Sequence, residues 1–315
     1  MGEQASKIGK KLEGFGENFF VNIGWTELAR DKEINCTRSS HKKKTHGIDL
    51  LCKFSNPYYA NGSQGIIVEC KNRQMVSITR ASIEEWVKEL IYNIECAQSA
   101  PELKGVDLTN TTLNTGLLLI NANDTFEPQK FYGYLSEITF PNRRNPINIF
   151  IAANDRISQW RSLFEKIKMS YDNMFSFIYP SINESNKISK KSLTINAMYS
   201  KYLLGRSTYI IQRNYLGSTY PEPHTQNMLF FFDEITVDNF RYAWSMFKYY
   251  QLQGVDKYVF LFYPRKNGDV DFVKESFITT LKSGETPIED SEAEKIEIDF
   301  IDNRCLSPIE TGGIL

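Results

Sequence analysis

His46-Gly47-Ile48-Asp49-Leu50-Leu51-Cys52-Lys53-Phe54 and Gln64-Gly65-Ile66-Ile67-Val68-Glu69-Cys70-Lys71 are two short apolar runs. They flank a polar segment, Ser55-Asn56-Pro57-Tyr58-Tyr59-Ala60-Asn61-Gly62-Ser63. Both runs are rich in branched residues, and Pro57 and Gly62 punctuate the segment between them. That is the pattern of a β-hairpin with a long loop. Successive strand side chains point to opposite faces, so Glu69 and Lys71 share one. A hairpin turning near Tyr59 sets Asp49 opposite Glu69 or its immediate neighbour. Two carboxylates and an ammonium then converge on an otherwise apolar sheet. Such charges can be the solvated face of an edge hairpin. However, Ile48, Leu50, Leu51, Ile66, Ile67 and Val68 are too apolar for a surface hairpin and read as central strands. Unpaired charge is costly there, and polar groups kept at that cost mark functional sites.

The chemistry open to these residue types is narrow. Two carboxylates supply hard oxygen ligands for Mg²⁺ (or Mn²⁺), which is usually held by one or two carboxylates plus substrate phosphate. Such an ion lowers the pKa of a bound water and neutralises charge building on a phosphate oxygen. A neighbouring lysine can orient or deprotonate the attacking water, or stabilise the transition state. The implied reaction is metal-assisted hydrolysis of a phosphodiester.

Asp49, followed after a hairpin by Glu69-Cys70-Lys71 and then by a helix, resembles the PD-(D/E)XK nuclease superfamily of restriction-endonuclease-like folds. The resemblance covers the first half of the chain. It implies that Asp49 and Glu69 are metal ligands and Lys71 the catalytic lysine. Gly47-Ile48 stands where the name-giving proline would sit, a common substitution. Many members carry a further acidic residue in the helix before the sheet, and Glu17 in Gly14-Phe15-Gly16-Glu17-Asn18-Phe19-Phe20 matches it as a third candidate metal ligand, with Glu13 as the fallback.

The flanking segments extend this picture. Apolar positions Ile8, Leu12, Phe15, Phe19 and Phe20 predict a first amphipathic helix. A short helix is expected over 25–30 and a first strand from Glu33. Arg38-Ser39-Ser40-His41-Lys42-Lys43-Lys44-Thr45-His46 is a basic loop feeding the Asp49 strand. A lysine triplet is often only a solvated turn, yet clustered Lys and Arg also carry phosphate contacts. Arg38, Lys42, Lys43, Lys44 and His46 are therefore nucleic-acid-binding candidates, joined by Arg73 and Gln74 just past the Glu69 strand. After Thr79 or Ser82 as cap, Ile83, Trp86, Val87, Leu90, Ile91 and Ile94 trace the apolar stripe of a helix. Strands follow at 116–121 and 147–152, then a helix from Asp155. The order matches an α/β, restriction-endonuclease-like mixed sheet flanked by helices.

The polar segment 180–192 is the best boundary candidate, dividing a nuclease domain (1–178) from a C-terminal α/β domain (193–315). The second domain reads as strands at 209–211, 228–232, 258–262 and 296–300, with helices over 237–252 and 272–281. It shows no phosphate-binding glycine loop. Its acidic end, 285–302, argues against lying on DNA, so it is expected to bind a protein partner or assemble a homo-oligomer.

Bulk properties exclude other classes. With 41% hydrophobic and 24% charged residues the chain is globular rather than disordered. A net charge of -1 confines any basic surface to a local patch. Five cysteines without a CxxC pair read as reduced thiols in a cytoplasmic protein. No apolar run reaches membrane-spanning length and no secretory signal opens the chain. The preferred reading is a metal-dependent nuclease on DNA, double-stranded above all, similar to prokaryotic defence effectors. The alternatives are a non-cutting nucleic-acid- or protein-binding subunit on a nuclease fold, and an adaptor with incidental hairpin charges.

Overall fold

The computed structural model describes residues 19–57, 62–140, 145–180, 188–215, 217–263, 270–284 and 287–302. Most of the expected first helix, including Glu13 and Glu17, lies outside them, as do Tyr59 and Cys305. The chain forms two compact units, which change over between Ser158 and Gln159.

The first unit is built on a five-stranded mixed sheet in sequential order: β1 (Thr26–Asn35), β2 (Thr45–Ser55), β3 (Ser63–Arg73), β4 (Thr111–Ala122) and β5 (Asn148–Ala152). The first three strands are antiparallel, whereas β4 and β5 run parallel to β3. The β3-to-β4 crossover is helix α1 (Arg80–Ala97), and α2 (Pro128–Glu137) lies between β4 and β5. Helix α1 starts where its sequence says it should. Thr79 Oγ1 accepts from the Ser82 amide and Ser82 Oγ accepts from the Thr79 amide, a reciprocal cap that satisfies two otherwise orphaned donors. Its expected apolar stripe is buried with Leu51, Ile67, Leu118 and Ile120 of the sheet. Gly116 allows this approach, since a Cβ there would come within 2.8 Å of the Leu90 side chain. With α1 on one face and Trp25 stacked on Phe54 at 4.8 Å, strands β2 and β3 are covered enough to be apolar on both sides.

Three expectations need correction. Residues 25–30 form no helix; Thr26–Asn35 is one strand paired with β2. Glu27, Leu28, Ala29 and Arg30 are good helix formers, but pairing with a central strand overrides that weak preference. The boundary at 180–192 is displaced. Strand β6 (Ser176–Tyr179), just before that polar stretch, pairs with β7 (Ile188–Lys190), which lies within it, so both belong to the second sheet. Helix α3 (Asn154–Ser170), expected to close the first domain, has most of its length in the second unit.

The second unit carries a six-stranded sheet ordered β11-β10-β9-β8-β6-β7. It adds β8 (Tyr202–Tyr215), β9 (Ser218–Glu234), β10 (Lys257–Tyr263), β11 (Ile296–Phe300), and helices α4 (Val237–Tyr249) and α5 (Val270–Lys282). Phe231, Phe240, Phe247, Phe260, Phe262 and Phe277 fill its core with Trp244 and Tyr258, so much of its aromatic content is interior. Asp233 and Glu234 end β9; the cap of α4 is Thr236.

Candidate active site

Strand register builds the site. Leu50 pairs with Val68 across β2 and β3, which sets Asp49 opposite Glu69. The Cys70 amide donates to Asp49 Oδ2 at 2.7 Å, fixing the carboxylate at the strand edge. Lys71 Nζ donates to Glu69 Oε1 at 2.5 Å. Asn93, reaching down from α1, donates through Nδ2 to Gly47 O at 2.7 Å and lies 3.4 Å from Glu69 Oε2. Asp49, Glu69 and Lys71 thus come together on the sheet face that α1 covers, at the margin of its apolar stripe.

The electrostatics follow from that placement. Glu69 is 6% exposed. Burial, and then the Asp49 charge, push its carboxyl up to about 7 against the pull of Lys71. Burial also raises Asp49, opposed by the Cys70 amide and Lys71. For Lys71 burial works against the charge, but Glu69 and Asp49 outweigh it and hold the ammonium above its ordinary value. Two carboxylates side by side in a poorly solvated place, each raised, form a donor set that suits a small divalent cation. The residues therefore fit a divalent-cation site, for which Asp49 and Glu69 could supply oxygen ligands.

A further carboxylate escaped the sequence reading. Arg30 pairs with Leu50 and Lys32 with Ile48, so Asp31 sits opposite Asp49 on the neighbouring strand. Its φ of 44° is left-handed and sparsely populated for a residue with a Cβ. Its charge adds to the upward push on Asp49. Only the register of β1, a strand read in part as helix, could have revealed it.

The basic candidates divide. Lys42, Lys43 and Lys44 are exposed; Lys43 pairs with Glu89 of α1 at 2.6 Å. Arg38 is exposed and lies 3.5 Å from Glu95. Arg73 and Gln74 are exposed where β3 ends. His46 departs from expectation: it is 4% exposed and faces inward, 5.5 Å from His41 ring to ring, so it offers nothing to a nucleic-acid surface.

A mixed sheet with an aspartate on its second strand and Glu-X-Lys on its third is the arrangement of a PD-(D/E)XK nuclease domain. Residues 1–156 match the family described as the GAPS4 protein PD-(D/E)XK nuclease domain, and this part of the chain belongs to that superfamily. Comparison with curated proteins gives no match. Among the described residues no helix is long and apolar enough to cross a membrane.

The raised Glu69 carboxyl has a measurable consequence. Its folded-state value lies above the ordinary glutamate value, so its contribution to stability is complete below about pH 4.5 and is lost as pH rises through about 7. In urea unfolding without divalent metal, wild type should lose stability relative to Glu69→Gln between pH 5 and about 8. Parallel pH profiles for the two proteins would show that Glu69 carries no such strain.

Proposed function

We propose that the first unit is a metal-dependent nuclease that hydrolyses phosphodiester bonds of DNA, with Mg²⁺ or Mn²⁺ held by Asp49 and Glu69. The observation that carries this reading is the convergence of Asp49, Glu69 and Lys71 through the β2–β3 register. When bound, the cation supplies an activated water and offsets charge on the scissile phosphate. Lys71 is held protonated by its carboxylate neighbours, so it acts by positive charge on the phosphate or by orienting water rather than as a base. Asn93 holds Glu69 and the β2 backbone in place from the helix side. Arg38, Lys42, Lys43 and Lys44, on the loop that enters β2, supply phosphate contacts, and Arg73 and Gln74 add to them at the end of β3. The matched family's printed name and the pairing of a nuclease unit with a second α/β unit support a role as effector of an anti-phage defence system.

Cleavage of supercoiled plasmid and of single-stranded DNA tests the chemistry. Wild type should cut only with Mg²⁺ or Mn²⁺, and Asp49→Ala and Lys71→Ala should each slow cutting by about 100-fold or more. Equal activity in both variants would remove the site assignment. A wild type that neither cuts nor binds Mn²⁺ in calorimetry would instead favour the non-cutting, nucleic-acid- or protein-binding subunit.

We also infer that the second unit assembles a homo-oligomer or holds a protein partner. Strands β8 and β9 pair from Tyr202 to Tyr215, whereas β9 meets β10 only from Gln226 onward and β8 meets β6 only at Gly205 and Arg206. The remainder is a two-stranded ribbon, an element that is marginal alone. It exposes Ile210, Ile211, Tyr215 and Tyr220. Light scattering on the full chain should show an oligomer that Ile211→Asp with Tyr220→Asp dissociates. An unaltered oligomer in that variant would place the contact elsewhere.

A further inference from the structure

Outside the Asp49–Glu69–Lys71 site, four side chains of metal-binding type converge around the β1–β2 connection. Cys36 follows β1, His41 closes a 3-10 turn (Ser39–His41), His46 lies in β2 and Cys96 in the last turn of α1. One ligand atom from each lies within 4.8 Å of the other three. Cys96 Sγ is 3.8 Å from Cys36 Sγ and 3.4 Å from His41 Nδ1, and Cys36 Sγ is 3.6 Å from the same nitrogen. A tetrahedral zinc ion, with Zn–S of about 2.3 Å and Zn–N of about 2.0–2.1 Å, sets its sulfurs about 3.8 Å apart and sulfur and nitrogen about 3.6 Å apart. The three separations among Cys36, His41 and Cys96 match such a ligand set, and a ring nitrogen of His46 lies within 4.8 Å of all three.

The surroundings supply independent support. His46 Nε2 is buried with no hydrogen-bond partner among the described residues, an orphan that a buried imidazole rarely tolerates. Asn93 of α1 also bears on this ring, and Nε2 is the nitrogen left without a partner. His41 Nε2 is bonded to Glu95 Oε2 at 2.8 Å, so its Nδ1 is the nitrogen turned toward the sulfurs. A carboxylate behind a histidine is the usual outer support of a zinc ligand. Arg38, 3.5 Å from Glu95 Oε1, offsets that charge. Cys96 is fully buried, and His41 and His46 nearly so. Two thiolates and two neutral imidazoles would exactly offset a divalent ion, leaving no net charge to bury.

We propose that Cys36, His41, His46 and Cys96 bind a structural Zn²⁺ ion that pins the basic β1–β2 loop to helix α1. Four protein ligands close the tetrahedron, so the ion has no open position for substrate and its role is structural. Ligands at 36, 41 and 46 bracket Arg38 and the Lys42–Lys44 run, so the metal fixes the loop whose cations face solvent. His46 stands three residues before Asp49 on β2, and Asn93 touches both His46 and Glu69. The zinc site thus supports the strand that carries the nuclease aspartate, but its existence does not depend on cleavage of any nucleic acid.

The test is the metal content of the full chain purified without chelator, measured by plasma mass spectrometry. One zinc per chain is expected, retained in Asp49→Ala and lost in Cys96→Ser and His46→Gln. Because those last variants can fail to fold, wild type is also titrated with Co²⁺, which should give the visible absorption of a tetrahedral thiolate site. Glu95→Gln keeps all four ligands and should weaken zinc binding by about 10- to 100-fold. Zinc should also shield Cys36 and Cys96 from alkylation. Zinc-free wild type that binds no Co²⁺, a Cys36–Cys96 disulfide in the isolated protein, or zinc lost with Asp49→Ala would each overturn the proposal.

Discussion

One hydrogen bond sets the terms for the first unit: the Cys70 amide donating to Asp49 Oδ2. It is made only if β2 and β3 pair in the register that places Leu50 against Val68. A slip by one residue would turn every side chain of a strand to the opposite face. Leu50, Leu51, Ile66, Ile67 and Val68 are all fully buried, and Leu51 and Ile67 are fitted against α1, so a slip would put side chains of the wrong size and the charges of Asp49, Glu69 and Lys71 into packed positions. Hydrophobic burial therefore selects the register, and the register brings Asp49 to Glu69. The charges do not hold the hairpin together; they are held by it, at a cost visible in the raised carboxyls of both residues.

Helix α1 shares the work. Its apolar stripe packs against the sheet over Gly116, while its polar residues serve two neighbouring clusters. Asn93 bonds to the β2 backbone and lies beside Glu69, Glu89 pairs with Lys43 of the basic loop, and Glu95 orients His41. Cys96, one residue beyond Glu95, completes the cysteine–histidine cluster. A single helix thereby couples the position of the basic loop to that of the carboxylates.

The parts of this arrangement legible in the sequence are those written in local periodicity. The hairpin, the Glu69-Cys70-Lys71 spacing, the α1 stripe and the Thr79 cap each lie within a short window. What was missed depends on pairing across distance. Thr26–Asn35 begins with helix-forming residues and is a strand only because β2 recruits it, and with that strand went the position of Asp31. Cys36 and Cys96 are sixty residues apart and follow no short metal-binding spacing, so only the docking of α1 beside β1 brings them together. His46 looked like a surface residue because it follows a lysine run, yet strand alternation turns it inward. The 180–192 stretch looked like a linker because it is polar, but Ile188–Lys190 within it is a strand that pairs with Ser176–Tyr179 in one sheet.

The most direct test of the central claim is the anomalous scattering of crystals grown with Mn²⁺, collected at the manganese edge. The expected result is a peak bridged by one Asp49 oxygen and one Glu69 oxygen at about 2.0–2.3 Å, with Lys71 beside it. A manganese peak elsewhere, with Asp49 and Glu69 still bound only to Cys70 and Lys71, would contradict the assignment of these carboxylates as the metal ligands.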